Sequence, residues 1–196
     1  MSKKLPPRKP TNEAAGRTRD YLTEAELDAV LAAAKGSGRH GFRDYTLILI
    51  AYRHGLRVSE LVDLKWSQID FAHAQVHVHR LKSGLPSVQP LAGLELRALR
   101  KLQRDYSCSE FVFVSERSGP LTPRAVHRIV ARAGTLAKIP FALHPHSLRH
   151  TCGFKLAQSG TDTRAIQDYL GHSNIVHTVR YTRLESGRFQ HFGKLL

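Results

Sequence analysis

Helical periodicity runs through most of this 196-residue chain and gives way once, after Trp66, to alternation of apolar and polar residues. Apolar positions three and four apart bury one face of a helix, whereas alternation buries one face of a strand. A chain with one such switch is confined to a mainly α fold with a small antiparallel β-sheet, an α+β domain. The alternating stretch is QVHVHRL, a KSG turn and LPSVQPL, which predicts a β-hairpin with Lys82 at or near its tip. On the helical side, Thr23 and Glu26 predict a capping box at the start of a helix that Gly36 ends. A second helix is expected from Phe42 to His54, before Gly55, and RVSELVDL opens a short third with Arg57 and Glu60 on one face. Helices are also expected in LAGLELRALRKLQRDY, in TPRAVHRIVARAG with Gly134 closing it, and over 146–158, 163–170 and 175–182. FVFV at 111–114 reads as a short buried strand or extended segment.

Charge narrows the partners. Thirty Lys and Arg against 16 Asp and Glu give a net charge of +14 spread along the chain, a field that favours a polyanion. Membrane anchoring is not expected, because the most apolar run, TLILIAY at 46–52, is too short to span a bilayer and lies within a helical pattern. The opening MSKKLPPRKP has no apolar core of a secretory signal, and Cys108 and Cys152 are too few for a disulfide framework, so a cytoplasmic protein with reduced thiols is expected. Residues 1–20 carry Lys3, Lys4, Arg8, Lys9, Arg17 and Arg19 with three prolines and little that is apolar, and read as a flexible basic arm ahead of one compact domain over 21–196.

The chemistry is carried by four separated clusters. HSNIVHTVRYTR, residues 172–183, sets Tyr181 between Arg180 and Arg183. A phenol ionises near pH 10, so Tyr181 serves as a nucleophile at neutral pH only where its surroundings favour loss of the proton. A phosphodiester under attack gathers negative charge that guanidinium groups match, and Arg57 and Arg149 are the candidates for that clamp, with Glu60 orienting Arg57. His146 and Arg149 stand at i and i+3 in HPHSLRHT and share a helix face, and His146 has a pKa range suited to proton exchange. The competing reading, a metal site of His144, His146 and His150, has no acidic or cysteine partner at ligand spacing and sets an arginine beside the ion. His77 and His79 share a strand face, read as solvated or facing DNA. Lys82 in its turn is placed to protonate a leaving oxygen. His172 follows the glycine of YLGH nine residues before Tyr181, near enough to share a phosphate.

In this order Arg57, Lys82, His146, Arg149, His172 and Tyr181 resemble the catalytic set of the tyrosine recombinases, the phage-integrase family, over about residues 20–190. Within it, AYRHGLRVSEL, HRLKSG, HPHSLRHTCG, DTRAIQDYLGH and HTVRYT are most similar to the small fimbrial phase-variation recombinases. The resemblance implies a tyrosine recombinase catalytic domain over 21–196 without a separate N-terminal core-binding domain. It implies attack by Tyr181 to give a 3′-phosphotyrosyl link and a free 5′-hydroxyl, with Arg57, Arg149 and His172 on the phosphate. Lys82 would protonate the 5′-oxygen, His146 would assist proton transfer, and neither cofactor nor metal is required. The implied partners are double-stranded DNA with inverted-repeat half-sites, a homotetramer on that DNA, and accessory DNA-bending proteins. The implied outcome is inversion of a promoter segment by a nucleoid-associated protein, with GRFQHFGKLL as a docking element for a neighbour. A transposon- or plasmid-borne integrase or resolvase of the same chemistry, a catalytically silent DNA-binding regulator, and a zinc-dependent nuclease are the alternatives.

Overall fold

The computed structural model describes residues 19–80, 86–106, 108–117 and 119–183. The N-terminal arm up to residue 18, Lys82 with its turn, and GRFQHFGKLL therefore lie outside the described residues.

The first helix, α1 (Glu24–Lys35), is capped as expected: Glu26 N–H donates to Thr23 Oγ1 at 3.3 Å and Thr23 N–H donates to Glu26 Oε2 at 2.8 Å, satisfying two of the amides a helix start leaves open. α2 (Gly41–Arg53) is buried on nearly all sides from Leu47 to Ala51, since α1, α4 (Gly93–Asp105) and α6 (Pro145–Gln158) all pack against it. Each of Leu47, Ile48, Leu49 and Ile50 is at most 1% exposed, and each such side chain stabilises the fold by about 1.5–3 kcal/mol. Short α3 (Val58–Val62) and long α5 (Pro123–Leu136) close the main core, with Val126 and Val130 fully buried. A second, smaller core gathers Cys152, Ala157, Ile166, Leu170 and Tyr181 from α6, α7 (Thr163–Leu170) and α8 (Val176–Arg183).

The sheet is antiparallel, as the alternation predicts, but has three strands: β1 (Ile69–Asp70), β2 (Gln75–Val78) and β3 (Ser87–Pro90), in that order. β2 and β3 pair from Gln75↔Pro90 to Val78↔Ser87. Two residues are too few to show a period, so β1 leaves no signal in the sequence. Phe111 and Val114 only bridge singly to Lys65 and Pro120, which makes FVFV an extended segment outside the sheet, with Val112 and Phe113 fully buried. The expectation that Gly134 closes α5 is corrected. The helix runs on to Leu136, and Gly134 is there because a Cβ would lie 2.6 Å from that of Leu143. No described helix is long and apolar enough to cross a membrane.

Candidate active site

The end of α7 organises the site. Asp162 caps its start, accepting from the Arg164 and Ala165 amides at 2.8 and 3.1 Å, and Gly171 ends it in the left-handed region at φ 65°. A side chain at Gly171 would be strained by that φ and would also meet the Arg80 side chain at 2.8 Å. The last carbonyls of a helix are unpaired and form the negative end of its dipole. Here three consecutive ones each receive an arginine: Arg80 Nη2 donates to Tyr169 O, Arg149 Nη2 to Leu170 O at 2.6 Å, and Arg57 Nη2 to Gly171 O at 2.9 Å.

These arginines arrive from three parts of the chain. Arg57 is the residue before α3, where its amide donates to Glu60 Oε2 and its Nη1 to Glu60 Oε1, both at 2.8 Å. Arg149 comes from α6 and also donates through Nη1 to the Gly55 carbonyl, tying the α2–α3 loop to the end of α7. Arg80 follows β2, and its Nη1 donates to Glu60 Oε2 at 2.7 Å. Burial by itself would raise the Glu60 carboxyl. The Arg57 amide, the Arg80 guanidinium and the Arg57 guanidinium outweigh burial and hold it below the usual carboxylate range. Burial, then the charges of Arg57 and Arg80, lowers Arg149 to about 10, which still leaves it cationic at neutral pH.

Arg80 was not among the residues singled out from sequence, although a signal existed. Val76 and Val78 point inward from β2, and the same alternation carries Arg80 to the buried side while His77 and His79 face solvent. A charge on a buried strand face needs a partner, and Glu60 supplies it.

Tyr181 lies one element further on. Its ring packs on Gly153 of α6, where a Cβ would come within 2.6 Å of the ring, and stacks with His172 at a centroid separation of 6.2 Å. His172 is fixed through Nδ1 to Thr178 Oγ1 at 2.9 Å, and burial followed by Arg149 and Arg57 lowers its pKa to about 3, so the ring is neutral. Arg149 and Arg180 pull toward the phenolate. Burial wins instead: Tyr181 is 3% exposed and its pKa is pushed up to about 12, against the opposing pull of Arg149. The hydroxyl does not bond to His146. It bonds to His150 Nδ1 at 3.0 Å, and His146 packs edge-on against His150 with ring centroids 4.3 Å apart. His146 itself is exposed to solvent on one side, and crowding by protein on the other, then Arg149, lowers its pKa. His150 stands four residues after His146, so helical spacing already placed both rings on one face.

Arg57, Glu60, Arg149, His172 and Tyr181 are thus brought together, and His146 stands beside them behind His150. Among the described residues no cluster of three or more His, Cys, Asp and Glu is arranged to hold a metal ion.

A phenol packed beside guanidiniums that converge on one helix end, in a mainly helical domain with a small sheet, defines a phosphoryl-transfer module of the tyrosine type. The chain belongs to the phage integrase family, whose model matches residues 20–188. It is 42% identical over 183 residues to the type 1 fimbriae regulatory protein FimB of Escherichia coli K12, covering 91% of each chain. It is 43% identical over 177 residues to FimE of the same strain, covering 87% of this chain and 89% of FimE. Its fold matches the crystal structure of XerA recombinase with a TM-score of 0.77 and 26% identity, over 97% of this chain and 66% of that one.

Proposed function

We propose that this protein is a site-specific DNA recombinase that cuts and rejoins DNA through a 3′-phosphotyrosyl intermediate on Tyr181, and so inverts a promoter segment that sets whether fimbrial genes are expressed. The single observation that carries this reading is the convergence of Arg57, Arg80 and Arg149 on the end of α7 beside Tyr181 and His172. It occurs in a chain that matches two fimbrial regulatory proteins over nearly its whole length.

In this reading Arg57, Arg149 and His172 hold the non-bridging oxygens of the scissile phosphate. Guanidiniums suit the task because they present paired donors and stay charged through the reaction. Tyr181 attacks phosphorus and displaces the 5′-oxygen. Lys82 protonates that oxygen, whose departure as an alkoxide would otherwise be slow. His146 assists proton movement at the edge of the site, and Glu60 holds Arg57 in place. The phosphodiester bond energy is kept in the tyrosyl ester, so a 5′-hydroxyl from a partner duplex reverses the step without ATP. In this structure Arg149 is 1% exposed and Tyr181 3%, so reaching a phosphate requires the cover over both to shift, and strand cleavage is thereby tied to docking on DNA.

The partners follow from the same reading: inverted-repeat half-sites, a homotetramer assembled on them, accessory proteins that bend the DNA, and a cytoplasmic location on the nucleoid. The net charge of +14 supports a DNA partner.

A plasmid carrying a promoter between inverted repeats tests the proposal. Incubation with the protein should give inverted product and, on denaturation, protein covalently joined to DNA 3′ ends. Tyr181→Phe should bind the same DNA and yield neither. Binding without adduct by the unaltered protein would favour a silent regulator instead.

A further inference from the structure

The Tyr181 hydroxyl and Asp20 lie on opposite edges of one buried imidazole. His150 Nδ1 is 3.0 Å from the hydroxyl, His150 Nε2 is 3.5 Å from Asp20 Oδ2, and the His150 side chain is only 10% exposed. Asp20 is held in turn by Arg180 Nη2 at 3.1 Å, from the residue next to the tyrosine. None of the four clusters that define the candidate site contains Asp20, and His150 entered the sequence reading only as a candidate metal ligand.

We propose that His150, oriented by Asp20, is the catalytic base that takes the Tyr181 proton as the phenolic oxygen attacks phosphorus, an assignment that rests on Tyr181 being the nucleophile. The geometry favours one tautomer. For Nδ1 to accept, the ring proton must sit on Nε2, and the Asp20 carboxylate on that side favours it there. During attack the Tyr181 O–H bond breaks and its proton passes to Nδ1. The O–P bond forms, the bond from phosphorus to the 5′-oxygen breaks, and that oxygen receives a proton from Lys82. Rejoining reverses each transfer. The imidazolium formed midway lies between Asp20 and the developing negative charge, which offsets the cost of charging a buried ring.

The need for such a group follows from the burial of the nucleophile. With its pKa pushed up to about 12, about one Tyr181 in 10⁵ is a phenolate at neutral pH. Direct ionisation therefore leaves the nucleophile almost wholly in its unreactive form. The groups facing His150 are His144, which caps α6, His146 from α6, Asp20 from the segment before α1, and Arg180 and Tyr181 from α8. Burial, followed by His146, keeps the ring below its ordinary pKa, hence neutral and able to accept at neutral pH.

The test is single-turnover adduct formation by the full-length protein on a nicked suicide duplex of inverted-repeat half-sites, made with oxygen or with sulfur at the bridging 5′ position. His150→Gln keeps the size and polarity of the ring but cannot accept the proton. It should slow adduct formation by about 10²–10³-fold, equally on both duplexes, because sulfur relieves only the leaving group. The ratio of variant to wild-type rate should climb about tenfold per pH unit from pH 6 to 8, as ionisation in solution replaces the missing base. A displaced tyrosine would give a flat ratio, so a flat ratio or wild-type speed overturns the proposal. Asp20 is partly exposed and stands ahead of the first helix, outside the buried cores. Asp20→Asn should slow both duplexes at least fivefold with unchanged DNA binding, and wild-type speed there also overturns the proposal. Tyr181→Phe separates the two readings. Adduct from Tyr181→Phe defeats the nucleophile assignment itself, whereas an inert Tyr181→Phe with a fully active His150→Gln defeats only the role given to His150.

Discussion

Arg80 Nη1 sits 2.7 Å from Glu60 Oε2 with neither side chain more than 1% exposed, and Glu60 spends its other oxygen on Arg57. Arg57 is therefore aimed by a carboxylate that is itself neutralised from the sheet. Removing one partner of a buried pair strands the other charge, which costs about 3–5 kcal/mol. Since Arg57 still pairs with Glu60, Arg80→Met should lower stability by less than that, by about 1–3 kcal/mol in urea unfolding, and should slow adduct formation even where the protein is fully folded, because Glu60 then turns wholly toward Arg57. A stability loss under about 1 kcal/mol would mean that Glu60 is neutral or solvated without Arg80.

Gly153 leaves room for the Tyr181 ring. A methyl group there would come within 2.6–2.8 Å of three Tyr181 ring atoms, far inside ordinary contact. Gly153→Ala should push the ring off α6 and break its bond to His150, reducing covalent adduct at least about tenfold while gel-shift affinity stays the same, since an added methyl in a packed core costs only about 1–3 kcal/mol. Adduct formation at the wild-type rate would show that the ring leaves this seat before attack.

Acid should weaken the fold through two histidines, His150, which is buried, and His172, which is half-buried. Both have folded-state pKa values below the ordinary 6.5, about 4 for His150 and about 3 for His172. The unfolded chain then binds protons that the folded chain refuses, so stability is full above about pH 6.5 and falls as the pH drops toward 4. The slope is at most about 1.4 kcal/mol per pH unit for each ring, less for His172 because it is partly exposed. Equilibrium unfolding at pH 7.5 and pH 5 measures the drop, and His150→Gln should shrink it. An unchanged drop would place the titrating groups elsewhere.

Residues 1–18 add Lys3, Lys4, Arg8, Lys9 and Arg17 against Glu13. A truncation beginning at Arg19 keeps the bond from Arg19 to Glu26 and the bonds of Asp20 to His150 and Arg180. DNA binding should weaken, and the slope of log affinity against log salt should fall by about 0.9 for each phosphate that the arm had neutralised, with cleavage unchanged once the DNA is saturated. An identical slope would mean that the basic arm does not touch DNA.

Much of the fold was legible along the chain because it is written in local terms. The capping box of Thr23 and Glu26, the end of α7 at Gly171 and the pairing of β2 with β3 each depend on residues a few positions apart, where spacing and turn chemistry act directly. The membership of Arg57, Glu60, Arg149, His172 and Tyr181 in one site was legible for a different reason: their motifs resemble a known set. What no local pattern decided was how those groups are paired. Arg57 and Gly171 meet across 114 positions, Arg80 and Tyr169 across 89, and His150 and Tyr181 across 31. Burial of Tyr181 in the smaller core outweighed the pull of Arg149 and Arg180 on its proton, because the cost of charging a phenol away from water exceeded their attraction. Periodicity determined which residues face inward, and motif which of them to look for in one site. Only the packing of α6, α7 and α8 decided which histidine holds the tyrosine, and only the meeting of α3 with the residue after β2 gave Glu60 its second arginine, since desolvation and hydrogen-bond geometry depend on neighbours that are distant in sequence.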